Sequence, residues 1–178
     1  RDLHSFPSRR SSDLRFNQGL SAIKTLSLKF PKIILISFSA GGHLAGILGT
    51  TDRQKLFHAA AMILCYPVIS FEKKVHEQSR QAFLGDENVN NSTYHQLFSV
   101  DNRVSSDTLP TFIWTVRQDK VVPYENTLFM VEQLRKYNVT FEYKIFEEGR
   151  HGMGLADRSA IRYGIKEFRN KNIAQWVI

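Results

Sequence analysis

The sequence contains a single cysteine, Cys65, so no internal disulfide bond can stabilise the chain. It also contains no apolar run long enough to span a membrane, no group of residues at metal-ligand spacing and no internal repeat. For these 178 residues the absences exclude a disulfide-stapled fold, a membrane-spanning helix and a repeat array. We expect no metal and no cofactor. Cys65 lies in an apolar run, which predicts a buried side chain that packs as a small hydrophobe.

Positive charge exceeds negative charge. Lys and Arg total 24 against 17 for Asp and Glu, which gives a formal net charge of +7 at pH 7. Part of this excess of positive charge lies in the first residues. Another part lies in the last predicted helix, where the simplest interpretation is that the basic side chains form its solvent-exposed face. No nucleic-acid-binding motif accompanies the charge. We therefore expect neither a nucleic acid nor a membrane as a partner.

The first 14 residues differ from the rest of the chain. Residues 1–14 are polar, show no helical or strand period and lack the apolar core of a secretion signal. They resemble translated adapter sequence, so we predict a disordered, non-native tail at 1–14 followed by one domain at 15–178. The alternative is a basic disordered arm that binds an acidic partner.

A serine lies where an apolar run gives way to small residues. The run 33–36 is followed by Ser37-Phe38-Ser39-Ala40-Gly41, and the residues after it are small and compatible with a helix. This pattern is typical of a nucleophile elbow, a strand-to-helix turn that raises a serine hydroxyl above the end of a sheet. Ser37 stands where the common G-x-S-x-G pattern has its first glycine, which predicts a more crowded turn. The alternative is a strand-to-helix turn without chemistry.

An acid and a histidine follow in order, each after a predicted strand. Asp119 comes just after the strand 110–116, and His151 follows the strand 140–146 in a glycine-flanked loop. The carboxyl ends of parallel strands share one edge of a sheet, so we expect Ser39, Asp119 and His151 to meet there. Asp119 could instead be a turn residue. Asp107 is the rival acid, but it precedes its strand and should lie at the opposite edge.

Five other histidines compete with His151. We predict that His43 is a packed or hydrogen-bonded residue of the elbow helix. Three others, His58, His76 and His95, lie in polar or loop-like stretches, where we expect solvated side chains, and His4 lies in the first 14 residues.

The alternation of strands and helices predicts an α/β fold with a covered parallel sheet. The predicted strands are 32–37, 60–66, 110–116 and 140–146, and the predicted helices are 40–49, 124–137 and 157–174. A shorter helix is predicted over 22–28. The polar stretch 70–106 is either a cap over the pocket or a solvated connection with one or two short helices.

Four motifs together resemble the esterase branch of the α/β hydrolases. They are Ser-Ala-Gly-Gly-His-Leu-Ala at 39–45, Pro-Thr-Phe-Ile-Trp at 110–114, Asp-x-Val-Val-Pro-x-Glu-Asn at 119–126 and His-Gly-x-Gly-Leu at 151–155. The likeness is greatest to the acetylxylan/feruloyl esterase-like group and extends from about residue 15 to the last residue.

The resemblance implies Ser39 as nucleophile, Asp119 as acid and His151 as base, with the backbone N–H of Ala40 as one oxyanion donor. The family's second oxyanion donor comes from a His-Gly-Gly-Gly-type segment, which this sequence does not contain. We therefore expect the C-terminal part of an α/β hydrolase with its early strands missing, and the elbow strand as an exposed, aggregation-prone edge.

The leading hypothesis is a serine hydrolase of carboxylic esters. The resemblance implies short acyl esters, such as acetyl groups on carbohydrate, as substrates. Two alternatives remain: a serine peptidase of the prolyl-oligopeptidase type, and a catalytically incomplete fragment with the right residues but an unfinished site.

Overall fold

The computed structural model describes residues 11–52, 56 and 58–155. Its four strands are β1 (Ile33–Phe38), β2 (Ala59–Cys65), β3 (Thr111–Val116) and β4 (Phe141–Phe146). They form one parallel sheet in the order β1-β2-β3-β4. Each strand begins and ends within one residue of its predicted bounds, because each is an apolar or alternating run with clear turn signals. The α/β architecture with four parallel strands is confirmed.

Helices connect and cover the strands. They are α1 (Ser11–Ser27), α2 (Ser39–Gly49), α3 (Glu77–Leu84), α4 (Ser92–Phe98) and α5 (Glu125–Lys136), with a short 3₁₀ turn at Asp101–Arg103. The stretch 70–106 therefore holds two short α-helices. The predicted helix 157–174 lies outside the described residues. Among the described residues, no helix is both long and apolar enough to cross a bilayer.

Helix α1 begins earlier than the sequence suggested. The prediction placed a helix over 22–28 and assigned 11–14 to a disordered tail, but α1 starts at Ser11. Phe16, Leu20 and Ile23 recur at helical spacing and pack against the main core, with Ile23 only 3% exposed. This apolar face explains why the helix extends so far forward. Residues 1–10 lie outside the described part.

Helix α5 buries only part of the apolar face that the sequence predicts for it. Leu128 and Tyr137 are more than one third exposed, whereas the sequence predicts an apolar face made of Leu128, Phe129, Val131, Leu134 and Tyr137. The buried apolar side chains are Met130, Val131 and Leu134, which recur at the three- and four-residue spacing of one helix face. The helix is where the sequence predicts it, but Leu128 and Tyr137 do not belong to its buried face.

Two apolar clusters lie in the fold. The larger one joins α1, α2 and the 70–106 stretch to the sheet. The smaller one lies near the carboxyl ends of β2, β3 and β4, and its buried members are Cys65, Tyr66, Trp114, Val116, Phe146 and Met153. Burial raises the pKa of the Cys65 thiol to about 12, so that group is a packed, protonated side chain as predicted.

Strand β1 forms one edge of the sheet within the described residues. It pairs with β2 alone, and Ile34 and Ile36 on it are 50% and 56% exposed. Unpaired edges with apolar side chains are templates for intermolecular pairing. The exposed elbow strand expected from the sequence is therefore present in this structure.

Candidate active site

The serine turn has the geometry of a strained elbow. Ser39 is the first residue of α2 and follows the last residue of β1 directly, with φ = 52°. A non-glycine residue in this left-handed region costs about 1–2 kcal/mol. Such strain persists only where the surrounding packing enforces it, and it is concentrated at functional sites.

The glycines after Ser39 permit two close approaches. A Cβ on Gly42 would lie 2.6 Å from Cβ of Pro67, so glycine is needed where α2 passes the chain leaving β2. A Cβ on Gly41 would lie 3.1 Å from Oγ of Ser37. The crowding predicted from Ser37 in a glycine position is therefore real but mild, because a serine side chain can rotate.

Two hydrogen bonds connect the three predicted site residues. Oγ of Ser39 lies 2.6 Å from Nε2 of His151, and Nδ1 of His151 lies 2.7 Å from Oδ2 of Asp119. The Asp119 side chain has no exposed surface, whereas 15% of the His151 side chain is exposed. A carboxylate only accepts, so Nδ1–H donates to Asp119 and Nε2 is left to accept from the serine hydroxyl. This is the arrangement that nucleophilic catalysis by serine requires.

The loop after β3 orients the carboxylate of Asp119. Its second oxygen, Oδ1, accepts from the backbone N–H groups of Val121 and Val122, each at 2.9 Å. Asp119 is thus both the turn residue and the partner of His151, so the two interpretations of the sequence are compatible. Asp107 is exposed in a turn that precedes β3, and the structure does not bring it to His151.

Three contacts hold the loop that carries His151. Gly149 has φ = 141°, and a Cβ there would meet Cγ1 of Val116 at 2.8 Å. Met153 is fully buried, and its sulfur accepts from the backbone N–H of Arg150 at 3.2 Å. The third contact is the backbone N–H of Gly154, which donates to the Tyr66 hydroxyl at 2.9 Å. The histidine is therefore placed by packing beneath its loop as well as by Asp119.

Tyr66 is a residue of the site that the sequence did not predict. It follows β2 directly, has φ = 40° and is 3% exposed. Its ring centroid lies 4.9 Å from that of His151, with the rings inclined at 71°. Burial raises the pKa of the Tyr66 phenol to about 12, so the hydroxyl is neutral. Tyr66 follows the end of β2, at the same edge of the sheet as Asp119 and His151, and this position was the sequence signal that could have placed it near the site.

Asn126 is a second residue that sequence reasoning named only within a motif. It is 1% exposed. Its Oδ1 accepts from the N–H groups of Ile69 and Ser70, and its Nδ2 donates to the carbonyls of Lys74 and Pro123. The amide uses its full hydrogen-bonding capacity. Asn126 thereby joins the Asp119 loop to the chain that follows β2.

His43 is a structural residue of α2, as predicted. Its Nε2–H donates to the carbonyl of Phe98 at 2.8 Å, and its ring stacks on Phe71 with centroids 4.1 Å apart. Burial lowers the pKa of His43 to about 3, so the imidazole is neutral. It therefore joins the elbow helix to the 70–106 stretch.

Three further histidines make hydrogen bonds outside this site. His58 bonds the carbonyl of Phe30, His76 caps α3 through Ser79, and His95 bonds the carbonyl of Val89. His58 is exposed, but His76 and His95 are half-buried rather than solvated, because each closes a local turn or helix start. His4 lies outside the described residues.

Ala40 is the second residue of α2. The first four backbone N–H groups of a helix have no acceptor within the helix, and the helix dipole adds partial positive charge there. The Ala40 N–H is therefore suited to hold negative charge that develops next to Ser39 Oγ. The described site brings together a serine hydroxyl, an imidazole and a buried carboxylate in one chain of hydrogen bonds, beside a backbone N–H at the start of a helix.

Comparison with known proteins identifies the family and the fold. The model of the prolyl oligopeptidase family matches residues 29–169. The chain is 32% identical over 138 residues to endo-1,4-beta-xylanase B from Butyrivibrio fibrisolvens, covering 71% of this chain and 21% of that protein. It is 32% identical over 124 residues to the acetylxylan esterase of Xylanibacter ruminicola, covering 68% of this chain and 26% of that protein.

A solved structure extends this likeness to three dimensions. An acetyl ester-xyloside bifunctional hydrolase from Caldicellulosiruptor lactoaceticus superposes with a TM-score of 0.72 at 34% identity, covering 90% of this chain and 64% of that one. The fold is that of the α/β hydrolases, and the resemblance to acetylxylan esterase-like enzymes is confirmed. The chain spans about a quarter of the curated relatives and about two thirds of this structure.

Proposed function

Since the chain belongs to the prolyl oligopeptidase family, we propose that it is a serine hydrolase of carboxylic esters that works through an acyl-enzyme. Ser39 is the nucleophile, His151 the general base and Asp119 the acid that orients the base. The observation that carries the proposal is the unbroken pair of hydrogen bonds from Asp119 through His151 to Ser39. An isolated serine hydroxyl is a weak nucleophile, and this arrangement is what activates it.

In the first half-reaction, Ser39 Oγ attacks the carbonyl carbon of the ester while its proton passes to Nε2 of His151. Asp119 stabilises the imidazolium and keeps the ring in one tautomer. The Ala40 N–H donates to the oxyanion of the tetrahedral intermediate. When the intermediate collapses, the bond to the alcohol breaks and the departing oxygen takes the proton from His151, which leaves the acyl group on Ser39.

In the second half-reaction, water takes the place of the alcohol. His151 removes a proton from the water, whose oxygen attacks the acyl carbon. The new intermediate collapses, Ser39 Oγ leaves with the proton held by His151, and the carboxylic acid departs. The free enzyme is restored with its proton count unchanged. Each use of the base contributes about 10²- to 10⁴-fold in rate.

For the substrate we propose short acyl esters, acetyl groups on carbohydrate in particular. This step rests on relatives: one is named acetylxylan esterase, and the solved neighbour is named an acetyl ester-xyloside hydrolase. Both share about one third of their aligned residues with this chain. The acyl part of a carbohydrate acetyl ester is small. Such a substrate therefore needs open access to Ser39 for its bulky alcohol part and does not need a deep acyl pocket.

A peptidase is the second candidate, because the matching family model is that of prolyl oligopeptidases. Serine peptidases and esterases share the same acyl-enzyme chemistry, and they differ in the leaving group. An amide nitrogen must be protonated as it departs, whereas an alkoxide is a better leaving group. The substrate therefore separates the two candidates more clearly than the Ser39 hydrogen bonds do.

The test compares p-nitrophenyl acetate with a prolyl p-nitroanilide on the purified chain. The ester proposal predicts release of p-nitrophenol that Ser39→Ala abolishes and that Ser37→Ala, two residues earlier on β1, preserves. Selective cleavage of the anilide would favour the peptidase. Hydrolysis at the same rate by wild type and Ser39→Ala would contradict both, and it is the outcome that the incomplete-fragment alternative predicts.

A further inference from the structure

Tyr66 contacts the loop of His151 at two places. Its hydroxyl accepts from the backbone N–H of Gly154 at 2.9 Å, and its ring meets the His151 imidazole in an edge-to-face arrangement at 4.9 Å. The two contacted residues lie on either side of a glycine and a buried methionine. One side chain thus fixes both the imidazole and the chain that follows it.

The backbone after Tyr66 contacts the other side of the site. The N–H of Val68 donates to the carbonyl of Ser39 at 3.2 Å. Pro67 lies so close to Gly42 in the first turn of α2 that no Cβ fits between them. Residues 66–68, here called the bridging segment, therefore touch the serine elbow through the backbone and the histidine loop through the Tyr66 side chain.

The backbone of Tyr66 is unusual in a way that suits this role. Its φ of 40° lies in the left-handed region, where a bulky residue is a rare outlier. The turn directs the ring toward Trp114 of the smaller apolar cluster and toward His151, with ring centroids 5.1 Å and 4.9 Å away respectively. A strained turn is retained where neighbouring structure holds it, and here the neighbours are the site itself.

We propose that Tyr66 is a positioning residue that holds His151 at the correct place relative to Ser39. The inference rests on the proposed function and deepens it. On the proposed mechanism Tyr66 transfers no proton and forms no bond to the substrate, so it acts through His151, which its ring contacts. The 2.6 Å separation of Ser39 Oγ and His151 Nε2 leaves little tolerance. A misplacement of 1 Å in such a constellation costs on the order of 100-fold in rate.

The first test is Tyr66→Phe, which removes only the hydroxyl and keeps the ring. Tyr143→Phe is the matched control, because Tyr143 lies 40% exposed on β4. Both are compared with wild type by kcat per titrated active site and KM on p-nitrophenyl acetate. We expect Tyr66→Phe to lose about tenfold in kcat per site, a fraction of the loss for a full 1 Å misplacement. KM should stay within about twofold, and the control should match wild type.

A purely structural role gives a different result. Tyr66→Phe would then reduce the number of sites that titrate while each remaining site turned over at the wild-type rate, and that outcome overturns the proposal. An unchanged kcat per site with a full complement of sites overturns it as well. The titration makes the two kinds of loss distinguishable even if the variant is less stable.

A second measurement needs no turnover. Amide hydrogen exchange at Gly154 reports directly on the bond to the Tyr66 hydroxyl, and it should be faster in Tyr66→Phe than in Tyr143→Phe or wild type. Equal exchange in all three overturns the proposal. A wild-type chain with no esterase activity would instead refute the proposed function, while the exchange at Gly154 would still decide whether Tyr66 holds the loop.

Discussion

Substitution of Gly42 by alanine tests whether the contact between α2 and the bridging segment is as tight as the structure indicates. The added Cβ would lie 2.6 Å from Cβ and 3.0 Å from Cα of Pro67. Carbon atoms normally approach to about 3.5–4.0 Å. The proline ring cannot rotate away, and Pro67 is buried, so the backbone of one element must move.

The sign of the effect decides between two physical arguments. Helix propensity alone predicts that Gly42→Ala stabilises the protein by up to about 1 kcal/mol. Overpacking of a buried contact costs about 1–3 kcal/mol. Because two atoms of a stiff ring are involved, we expect overpacking to dominate, with a net loss of about 1–2 kcal/mol in the free energy of unfolding. The melting temperature should fall by about 2–4 °C per kcal/mol for a chain of this size.

Gly41→Ala is the matched control on the adjacent residue of the same helix. Gly41 is exposed, and the nearest atom to its added Cβ is the rotatable Ser37 Oγ at 3.1 Å. The same helix propensity applies here without a stiff neighbour, so we expect its free energy of unfolding to equal that of wild type or to exceed it by up to about 1 kcal/mol. Urea unfolding followed by fluorescence of the buried Trp114 measures both variants. A Gly42→Ala chain as stable as Gly41→Ala would refute the reasoning.

Three further predictions follow from other parts of the fold. Asp119→Asn should lower kcat by about 10⁴-fold, as loss of the orienting carboxylate does in serine proteases, whereas Asp107→Asn should have no effect in the same assay. Burial lowers the pKa of His43 to about 3, so the unfolded chain gains a proton below pH 6.5 that the folded chain excludes. The free energy of unfolding should therefore be about 2 kcal/mol lower at pH 5 than above pH 6.5. Urea titrations of His43→Phe at the two pH values should not show this loss. Ile34→Lys on the exposed edge of β1 should reduce light scattering on concentration without lowering the unfolding midpoint, and unchanged scattering would argue against edge pairing.

The four strands could be predicted to within one residue because their physics is local. Each is a short run of apolar or alternating residues, and each is bounded by turn-forming residues. The meeting of the three hydrogen-bonded side chains was predictable for a related reason. Ser39, Asp119 and His151 each follow a strand, and parallel strands bring their carboxyl ends to one edge. Local pattern and one topological rule were together sufficient.

Tyr66 was not predicted as part of the site, although it follows the end of β2 at the same edge of the sheet. A tyrosine after an apolar strand has no nucleophile, acid or base pattern to mark it, and its bond to Gly154, 88 residues further along the chain, is seen only in the folded structure. The early start of α1 was missed for another reason. Residues 11–13 are polar and Leu14 is exposed, and the helix owes its stability to Phe16 and Ile23, which pack on elements that come later in the chain.

Covalent labelling with a fluorophosphonate shows whether Ser39 is an activated nucleophile. Attack by Ser39 Oγ on phosphorus releases fluoride, and the proton goes to His151, so labelling requires the activated serine but no particular acyl substrate. We predict that wild type and Ser37→Ala are labelled, that the label maps to the peptide containing Ser39, and that Ser39→Ala is not labelled. Labelling of wild type no faster than that of Ser39→Ala would show that Ser39 is not activated.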